Sequence, residues 1–561
     1  MISPKREKEV EDLVSEYMKC KNDFVYFCRK YVFIELPGGD VLLNPYRKQT
    51  ELVDLILKKH FVLVLKSRQI GVSTIIQAYS TWLAIFHDNV VIGIISKDGK
   101  EATDFARGIR GMVEKLPDWL KPTGGVMGRG FSKRSEQSFI LTNGSKIFAS
   151  PVAPNAPEKT LRGKAITFLV IDEAAFIKFV EIAWTAMVPA LSTNQMMAKN
   201  NKIPYGTVLL STPNKTLGPG KWFFDRYSST ISGDTIFTPY KIHWREIPQL
   251  VKDKSWYRNQ CDFFNNDQKK IQQELELKFL SSGGSFFESS TIEKLQEGDK
   301  EPIEIVKIFN GEIWKFQEPI PDKYYIIGVD TAPEHGEDKS AITIWDYQTL
   351  EQVWEFQGKC RVDDFAKVVM LACAQYSGLL VIESNSYGNQ VVEIVDRSEY
   401  ALMMYKETRG KDTMIPGLST NAKTRPLMIE ALYTYISEFP ESVNSKRLVL
   451  ELISLTTKMS GQTERVEADS GCHDDLAMAT AAAFYVRKWD PPMVVDGART
   501  FQTQELSRIV NMNKDHVDVS NATILKYVKE NINEMGGFVD ILSMYNRGGL
   551  DELRKKHPTS R

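Results

Sequence analysis

The chain is poor in cysteine, has no long apolar run and no internal repeat, and carries almost no net charge. Its six cysteines (Cys20, Cys28, Cys261, Cys360, Cys373, Cys472) are scattered through 561 residues with no C-x-x-C pair. That excludes a disulfide mini-protein and reads as reduced thiols in a reducing, intracellular compartment. No apolar run approaches the roughly 18 residues of a membrane span; stretches such as Phe61–Leu65 have the length of a strand. The opening Met-Ile-Ser-Pro-Lys-Arg-Glu-Lys-Glu is charged and lacks an apolar h-region, which predicts no signal peptide. Lys+Arg total 71 against 72 for Asp+Glu, a formal charge of −1. A histone-like polycation is excluded, while a local basic groove is not. Apolar residues at 42% and charged residues at 25% exclude a disordered or collagen-like chain. At roughly 100–200 residues per domain, the length predicts about three domains.

Periodicity divides the chain in two. The first 35 or so residues read as helical, with Val10, Leu13, Val14 and Tyr17 set against charge. A helix over 47–59 follows, and then strands and helices alternate: strand 61–66, helix 73–86, strand 90–96, helix 100–116. Thr142-Asn-Gly144 marks a hairpin turn, and 168–171 and 207–210 are further apolar strands. Such alternation predicts an α/β unit with a mostly parallel sheet covered on both faces. Later, strands at 324–329, 341–347, 352–357 and 379–382 and an Ala-rich helix over 474–487 predict a mixed sheet. The expected domains are 1–300 (with a helical segment 1–40), a linker or edge over 301–322, 323–490, and a polar, helical extension over 491–561.

The first strand–turn–helix reads Lys66-Ser67-Arg68-Gln69-Ile70-Gly71-Val72-Ser73-Thr74. A loop there can cradle phosphates with backbone N–H groups and a helix N-terminus. Against the G-x-x-x-x-G-K-[ST] pattern, Gly71 and Ser73 fit, Lys66 stands in place of the first Gly, and Val72 in place of the Lys. Lys66 could supply the missing cation from the front of the loop, Arg68 a second charge, and Ser73 a magnesium ligand. A bland strand–turn–helix fits the same letters. About 100 residues on, an apolar strand ends in Asp172-Glu173, the Walker-B arrangement: Asp172 for Mg²⁺, Glu173 to polarise the attacking water. Acids decorating a helix start are the structural alternative. Strand 207–210 ends in Ser211-Thr212-Pro213, whose hydroxyls could sense the γ-phosphate, or simply cap a turn. Tyr46, Arg47 and Gln49 open the helix before the loop; an aromatic to stack on adenine and a Gln to bond its edge suit that place, and so does a plain helix-start staple.

The second half holds Asp330 and Glu383 at strand ends and Asp474-Asp475 at a helix start. Carboxylates so placed can converge at one sheet edge and hold two Mg²⁺ or Mn²⁺ ions, which clamp the attacking water and leaving oxygen of a phosphodiester. Asp338, eight residues after Asp330, could add a ligand. Cys472 and His473 have no second ligand pair, so a structural zinc site is rejected; His473 could orient water or phosphate. Each acid alone is more often an N-cap or a strand end than a ligand; their order along the chain is the more specific signal.

Together, Ser67-Arg-Gln-Ile-Gly71, Ile171-Asp-Glu-Ala-Ala-Phe176, Ser211-Thr-Pro-Asn214, Gly328-Val-Asp330, Val381-Ile-Glu-Ser-Asn385 and His473-Asp-Asp-Leu-Ala-Met478 resemble the large terminase subunit of tailed bacteriophages, T4-like branch, over residues 40–490. The resemblance implies a P-loop (RecA/ASCE-like) ATPase followed by an RNase H-like nuclease. Lys66, Ser67, Arg68, Gly71, Ser73 and Thr74 would form the P-loop with ATP and Mg²⁺. Tyr46, Arg47 and Gln49 would be the adenine segment, Asp172 and Glu173 Walker B and the catalytic carboxylate, and Ser211, Thr212 and Pro213 the coupling motif. Arg162 would be a trans-acting arginine finger, its alternative being a surface Arg in a turn. Asp330, Glu383 and Asp474 would be the nuclease triad, with Asp475 as neighbour or substitute, on Mg²⁺ or Mn²⁺. T4-like members carry Lys where Val72 stands; some other terminases place it where Lys66 sits.

Lys406, Arg409, Lys411, Lys423 and Arg425 cluster in a segment that reads as loop, a candidate for sequence-independent phosphate contacts or a solvated charged loop. The resemblance implies double-stranded DNA, a portal protein and a small terminase subunit as partners, a homo-oligomeric ring on the portal, no membrane, and a place in the host cytoplasm, transiently on the procapsid portal vertex. The rivals are a helicase–nuclease of repair or defence and a degenerate, non-hydrolysing DNA- or capsid-binding scaffold.

Overall fold

The computed structural model describes residues 4–122, 130–216, 218–280, 285–321, 323–336, 338–409, 413–460, 463–468 and 473–489. The expected extension 491–561 and Lys411 lie outside them. The chain forms two compact units, Met1–Ser282 and Gly283–Arg561. Among the described residues, no helix is long and apolar enough to cross a membrane.

The first unit opens with α1 (Pro4–Asn22) and α2 (Phe24–Tyr31), separated where the Asp23 side chain caps α2 by accepting from the Tyr26 N–H. A hairpin, β1 (Phe33–Leu36) and β2 (Gly39–Leu42), leads to α3 (Arg47–Lys59) and β3 (Phe61–Lys66). Then come α4 (Val72–Phe86), β4 (Val91–Ser96), α5 (Gly99–Lys115), β5 (Phe131–Arg134), β6 (Ser138–Leu141), β7 (Lys146–Pro151), β8 (Phe168–Asp172), α6 (Val180–Asn200) and β9 (Gly206–Ser211). The unit closes with α7 (Lys221–Ile231), β10 (Thr238–Ile242), α8 (Pro248–Lys252), α9 (Trp256–Phe263) and α10 (Gln268–Glu274). The eight strands lie in the order β10-β3-β9-β8-β4-β7-β6-β5. Pairing is parallel from β10 through β7 and antiparallel for β7–β6 and β6–β5. β3, β4, β8 and β9 are almost wholly buried, as strands of a sheet covered on both faces must be. The β6–β7 turn carries Gly144 at φ 84, the conformation its Asn-Gly pair predisposes.

The second unit contains α11 (Ser289–Gly298), β11 (Glu304–Ile308), β12 (Gly311–Lys315), β13 (Tyr325–Asp330), β14 (Ser340–Asp346), β15 (Gln352–Gly358), α12 (Val362–Gln375) and β16 (Gly378–Ile382). It continues through α13 (Gly388–Asp396), β17 (Lys406–Arg409), β18 (Thr413–Pro416), α14 (Thr424–Glu438), α15 (Lys446–Ser454), β19 (Leu455–Ser460), β20 (Thr463–Ala468) and α16 (Asp475–Trp489). Its main sheet runs β11-β12-β15-β14-β13-β16, antiparallel except for the β13–β16 pair. The fold is therefore α/β with a large mostly parallel sheet and a separate mixed sheet.

Two readings of the sequence change. Residues 301–322 carry the hairpin β11–β12, paired through β12 to β15 at the sheet edge, and α11 belongs to the second unit. Of the segment 406–425, read as loop, 406–409 and 413–416 pair as the hairpin β17–β18, 417–423 connect it to α14, and Arg425 lies in the first turn of that helix. In 301–322 the flanking Pro302, Pro319 and Pro321 draw the reading to a linker or edge although Val306, Ile308, Ile313 and Trp314 are buried around an Asn310-Gly311 turn; in 406–425 the short, polar strands leave a weak alternation signal.

α16 lies directly on β13. A Cβ on Gly328 would sit 2.0 Å from the Ala479 carbonyl oxygen, so only glycine admits this approach. Gly328→Ala should push α16 off the sheet and cost about 1–3 kcal/mol; urea denaturation monitored by tryptophan fluorescence reads the loss.

Candidate active sites

In the first unit, β3, β9, β8 and β4 are parallel neighbours, so the residues that follow them emerge at one edge. The chain turns from β3 into α4 through Ser67–Gly71. Gly71 sits at φ 71, and a Cβ there would meet Gln49 Nε2 at 2.9 Å. A cleft of about 480 Å³ is lined by Lys66 to Thr74, Lys97, Glu101, Asp172, Glu173, Phe176, Thr212 and Glu274.

Lys66, the last residue of β3, is buried and points at the acids of β8: its Nζ is 2.7 Å from Glu173 Oε1. Ser73 Oγ donates to Asp172 Oδ2 at 3.0 Å, and the Glu173 N–H donates to Asp172 Oδ1 at 3.0 Å. Burial pushes the Asp172 carboxyl up to about 6, against the pull of Lys66. Burial opposes the Lys66 charge, but Glu173 and Asp172 outweigh it and hold the ammonium above its ordinary value. Glu173 itself takes a left-handed backbone at φ 53, a conformation that non-glycine residues adopt at some cost and often at functional sites.

Val72 occupies the first helical position of α4 and is 2% exposed, packed in the core. The usual P-loop lysine position thus faces apolar side chains, and the cation arrives from the strand end. Arg68 Nη1 is 3.3 Å from Glu274 Oε2, and the Arg68 N–H donates to the Glu274 carbonyl at 2.7 Å. Ser67 Oγ donates to the Leu275 carbonyl at 2.7 Å. The loop is therefore tied to the end of α10. Thr74 lines the cleft one residue beyond Ser73.

Tyr46 and Gln49 are held to the backbone of the loop, as the helix-start alternative allows. The Tyr46 hydroxyl donates to the Ile70 carbonyl, and Gln49 Nε2 donates to the Gly71 carbonyl at 2.8 Å. Gln49 Oε1 accepts from the Tyr46 N–H at 3.3 Å. Both ends of that amide are committed to the backbone, so the pair braces the loop and neither residue lines the cleft. Arg47 is exposed and pairs with Glu51 at 2.6 Å. Arg162 is exposed in a turn before β8 and is not a cleft residue of its own chain. Ser211 Oγ accepts from the Ala175 N–H at 3.1 Å, Asn214 Nδ2 donates to the Ala175 carbonyl at 2.9 Å, and Thr212 lines the cleft. The segment 211–214 therefore touches the turn that follows Glu173. Lys97 and Glu274 went unpredicted. Lys97 follows β4, one more strand end at the same edge; Glu274 lies 200 residues from the loop, with no local signal.

In the second unit, β13 and β16 are parallel neighbours, Val329 standing opposite Ile382. Asp330 and Glu383 thus leave the sheet side by side, and the start of α16 adds Asp475, with Asp474 just before it. The four acids converge: burial, then Glu383 and the Asp475 charge, push Asp330 well above the usual carboxylate range. Asn385 Nδ2 donates to Glu383 Oε1 at 3.0 Å and to the Thr420 carbonyl at 2.9 Å, which fixes the Glu383 carboxylate. Asp475 is the inner member of its pair, 3% exposed, and its Oδ2 has no hydrogen-bond partner among the described residues. Asp474 faces Arg425, whose Nη2 is 4.0 Å from Asp474 Oδ2. Burial raises the Asp474 carboxyl as well, partly offset by Arg425.

A residue absent from the sequence reading anchors this turn. Glu451 of α15 is buried, its Oε2 accepting from the Ala477 N–H at 2.9 Å and its Oε1 from Gln357 Nε2 at 2.8 Å. Of the basic residues, Arg425 abuts the acids, Lys423 is exposed at the start of α14, and Lys406 is half-buried at the start of β17. Arg409 ends β17.

Oxygen donors crowded together, one of them buried and unpartnered, fit hard divalent cations. In the first unit, Ser73 and Asp172 offer a smaller oxygen pair beside a basic loop.

No protein-family model matches the chain. Among solved structures, it is similar to the large terminase of bacteriophage HK97, at 11% identity and a TM-score of 0.37, over 83% of this chain and 99% of that one. It is similar to the large terminase ATPase domain of Thermus phage P74-26, at 17% identity and a TM-score of 0.33, over 42% of this chain and 94% of that one. It is also similar to the large terminase nuclease of thermophilic phage G20c with bound magnesium, at 16% identity and a TM-score of 0.29, over 36% of this chain and 97% of that one. At such identities and scores the residues themselves carry the functional reading.

Burial and the neighbouring Asp338 and Asp474 carboxylates push Asp475 from its usual 3.8 up to about 8. Between those values the folded state binds more protons than the unfolded state, so stability falls as pH rises through the window. A divalent cation that replaces the proton should therefore raise the melting temperature more at pH 8 than at pH 5. Thermal denaturation with and without Mg²⁺ at both pH values checks this; equal shifts contradict it.

Proposed function

We propose that the chain is an ATP-driven translocase of double-stranded DNA with a metal-dependent endonuclease on the same polypeptide, the packaging motor of a tailed bacteriophage. The observation that supports it best is the coexistence of a Lys66–Ser73–Asp172–Glu173 cleft in one unit with the Asp330–Glu383–Asp474–Asp475 cluster in the other. The first suits triphosphate hydrolysis, the second phosphodiester cleavage. Assignment to the T4-like branch rests on the sequence motifs alone.

In the ATPase, the loop 67–72 and the start of α4 would present N–H groups to the phosphates. Lys66 and Arg68 would add charge where the transferring phosphoryl oxygens gather it. Ser73 and Asp172 would hold the magnesium ion of the nucleotide. Glu173 orients the attacking water and takes its proton. That carboxylate accepts from Lys66 Nζ, an ammonium for which phosphate oxygens would compete. Ser211, Thr212 and Pro213 then report the state of the site through the turn after Glu173. Arg162, exposed in its turn, would serve a neighbouring subunit in a ring.

In the nuclease, Asp330, Glu383, Asp474 and Asp475 would hold Mg²⁺ or Mn²⁺, which when bound activates water and stabilises the leaving oxygen. Asn385 keeps Glu383 oriented. Lys406, Arg409, Lys411, Lys423 and Arg425 give phosphate contacts without sequence preference. Portal protein, small terminase subunit and further copies of the chain complete the machine on the procapsid, in the host cytoplasm.

Lys66→Ala and Glu173→Ala should each lower DNA-stimulated ATP turnover at least about 100-fold while plasmid cleavage persists. Asp330→Asn should abolish cleavage and leave turnover intact. Wild-type protein without DNA-stimulated hydrolysis would instead favour the scaffold reading, for which Val72 is the motive. Unwinding of forked DNA would favour a helicase–nuclease.

A further inference from the structure

A site that selects a nucleotide by its base holds polar atoms aimed at the base edge. An analogue without the matching groups leaves those atoms unpaired and is strongly rejected. In the cleft beside the 67–71 loop, the side chains best placed for that work are already bonded. Gln49 is buried; its Nε2 donates to the Gly71 carbonyl at 2.8 Å and its Oε1 accepts from the Tyr46 N–H at 3.3 Å. The Tyr46 hydroxyl donates to the Ile70 carbonyl. Either side chain would have to let go of the phosphate loop to reach a base. Of the residues that do line the cleft, Lys66, Arg68, Lys97, Ser73, Thr74 and Thr212 carry the cations and hydroxyls that suit phosphate oxygens. Its acids are engaged: Glu101 with Lys97 at 2.5 Å, Glu274 with Arg68 at 3.3 Å, Asp172 with Ser73 and Glu173 with Lys66. Phe176 offers a ring, and every base has a face to stack on it. Gln69 is exposed, and one hydrogen bond made in water discriminates by about tenfold at most. Among the described residues, no buried side-chain nitrogen or oxygen of the cleft lacks a hydrogen-bond partner.

We infer that this site recognises a triphosphate and not a base, so that it hydrolyses purine and pyrimidine nucleoside triphosphates alike, with Tyr46 and Gln49 as positioning residues of the loop. The inference rests on the ATPase reading and sets the substrate class of that same site. In each substrate the water oxygen bonds to the γ-phosphorus and the bond from that phosphorus to the β–γ bridging oxygen breaks. Glu173 takes the water proton, and a nucleoside diphosphate and phosphate leave. The base takes no part in these steps, and the groups that hold the reacting end are the same whichever base is attached. Gln49 and Tyr46 act earlier, by fixing the carbonyls of Ile70 and Gly71 so that the loop keeps the shape its phosphate donors require.

The test measures phosphate release by the full-length protein from ATP, GTP, CTP and UTP, with Mg²⁺ and double-stranded DNA. In the wild type, kcat/KM should agree within about tenfold across the four. Gln49→Ala should raise KM for all four by one common factor, about tenfold or more, and leave the ratio of ATP to GTP unchanged. A variant that is merely less well folded loses kcat at constant KM; that result overturns the positioning role. A wild-type preference for ATP beyond about tenfold overturns the inference whatever the variant does, and so does a Gln49→Ala protein that loses ATP and spares the other three. Hydrolysis of ATP alone keeps the ATPase and removes this inference. Hydrolysis of none of the four removes the ATPase and this inference with it.

Discussion

Parallel pairing of neighbouring strands is the constraint on which both sites depend. Parallel strands deliver the residues that follow them to the same edge. β3, β9, β8 and β4 run in register this way, so Lys66, Thr212, Asp172, Glu173 and Lys97 meet around one cleft although they span more than 140 positions. β13 and β16 are the one parallel pair in the main sheet of the second unit, and they carry Asp330 and Glu383. Had β16 run antiparallel to β13, Glu383 would lie at the opposite edge and the cluster would not exist.

The two edges differ in how they bear their charge. At the first, a buried ammonium balances the acids, Lys66 pairing with Glu173 at 2.7 Å. At the second, four acids converge against Arg425, 4.0 Å from Asp474, and Lys339 beside Asp475. Burial and mutual repulsion therefore raise Asp330 and Asp475 until protons or cations neutralise them. The difference also explains Val72. Its side chain enters the core at the start of α4, so charge on the loop has to come from the strand before it, and Lys66 supplies it without disturbing that packing.

The sequence made the strand ends legible because each is an apolar run that stops at a polar residue: Lys66 after Phe61–Leu65, Asp172 after Phe168–Ile171, Asp330 after Tyr325–Val329. Periodicity placed most of these elements within a residue or two. It failed at two hairpins. The hairpin β11–β12 reads as linker or edge because Pro302, Pro319 and Pro321 flank it, although its Asn310-Gly311 turn and apolar Val306, Ile308, Ile313 and Trp314 carry a hairpin signal, and β17–β18 reads as loop because its four-residue strands lack alternation. Tyr46 and Gln49 were visible as a pair at a helix start, but not as braces of Gly71, since hydrogen bonds between segments leave no trace in spacing. Which of Asp474 and Asp475 lies inside was equally hidden; it depends on the rotation of α16 over β13, set by the close approach at Gly328.

That rotation is held by a layer of polar contacts remote in sequence. Glu355 of β15 and Arg447 of α15 form a fully buried pair at 2.7 Å, with the guanidinium over the Trp314 ring. Gln352 Nε2 donates to Glu355, and Gln352 Oε1 accepts from the Asn444 and Ser445 N–H groups at the start of α15. α15 is thereby pinned to the sheet, and from it Glu451 reaches the Ala477 N–H in the first turn of α16. A buried ion pair is a weak source of net stability but a strong restraint on geometry, because breaking it strands a charge. The network therefore acts as a positioning device. Helix α16 could slide along an apolar surface at little cost, yet it cannot do so while Glu451 holds its end. Asp475 consequently stays against Asp330 despite their repulsion, and the acid cluster is paid for by contacts that contain none of its four members.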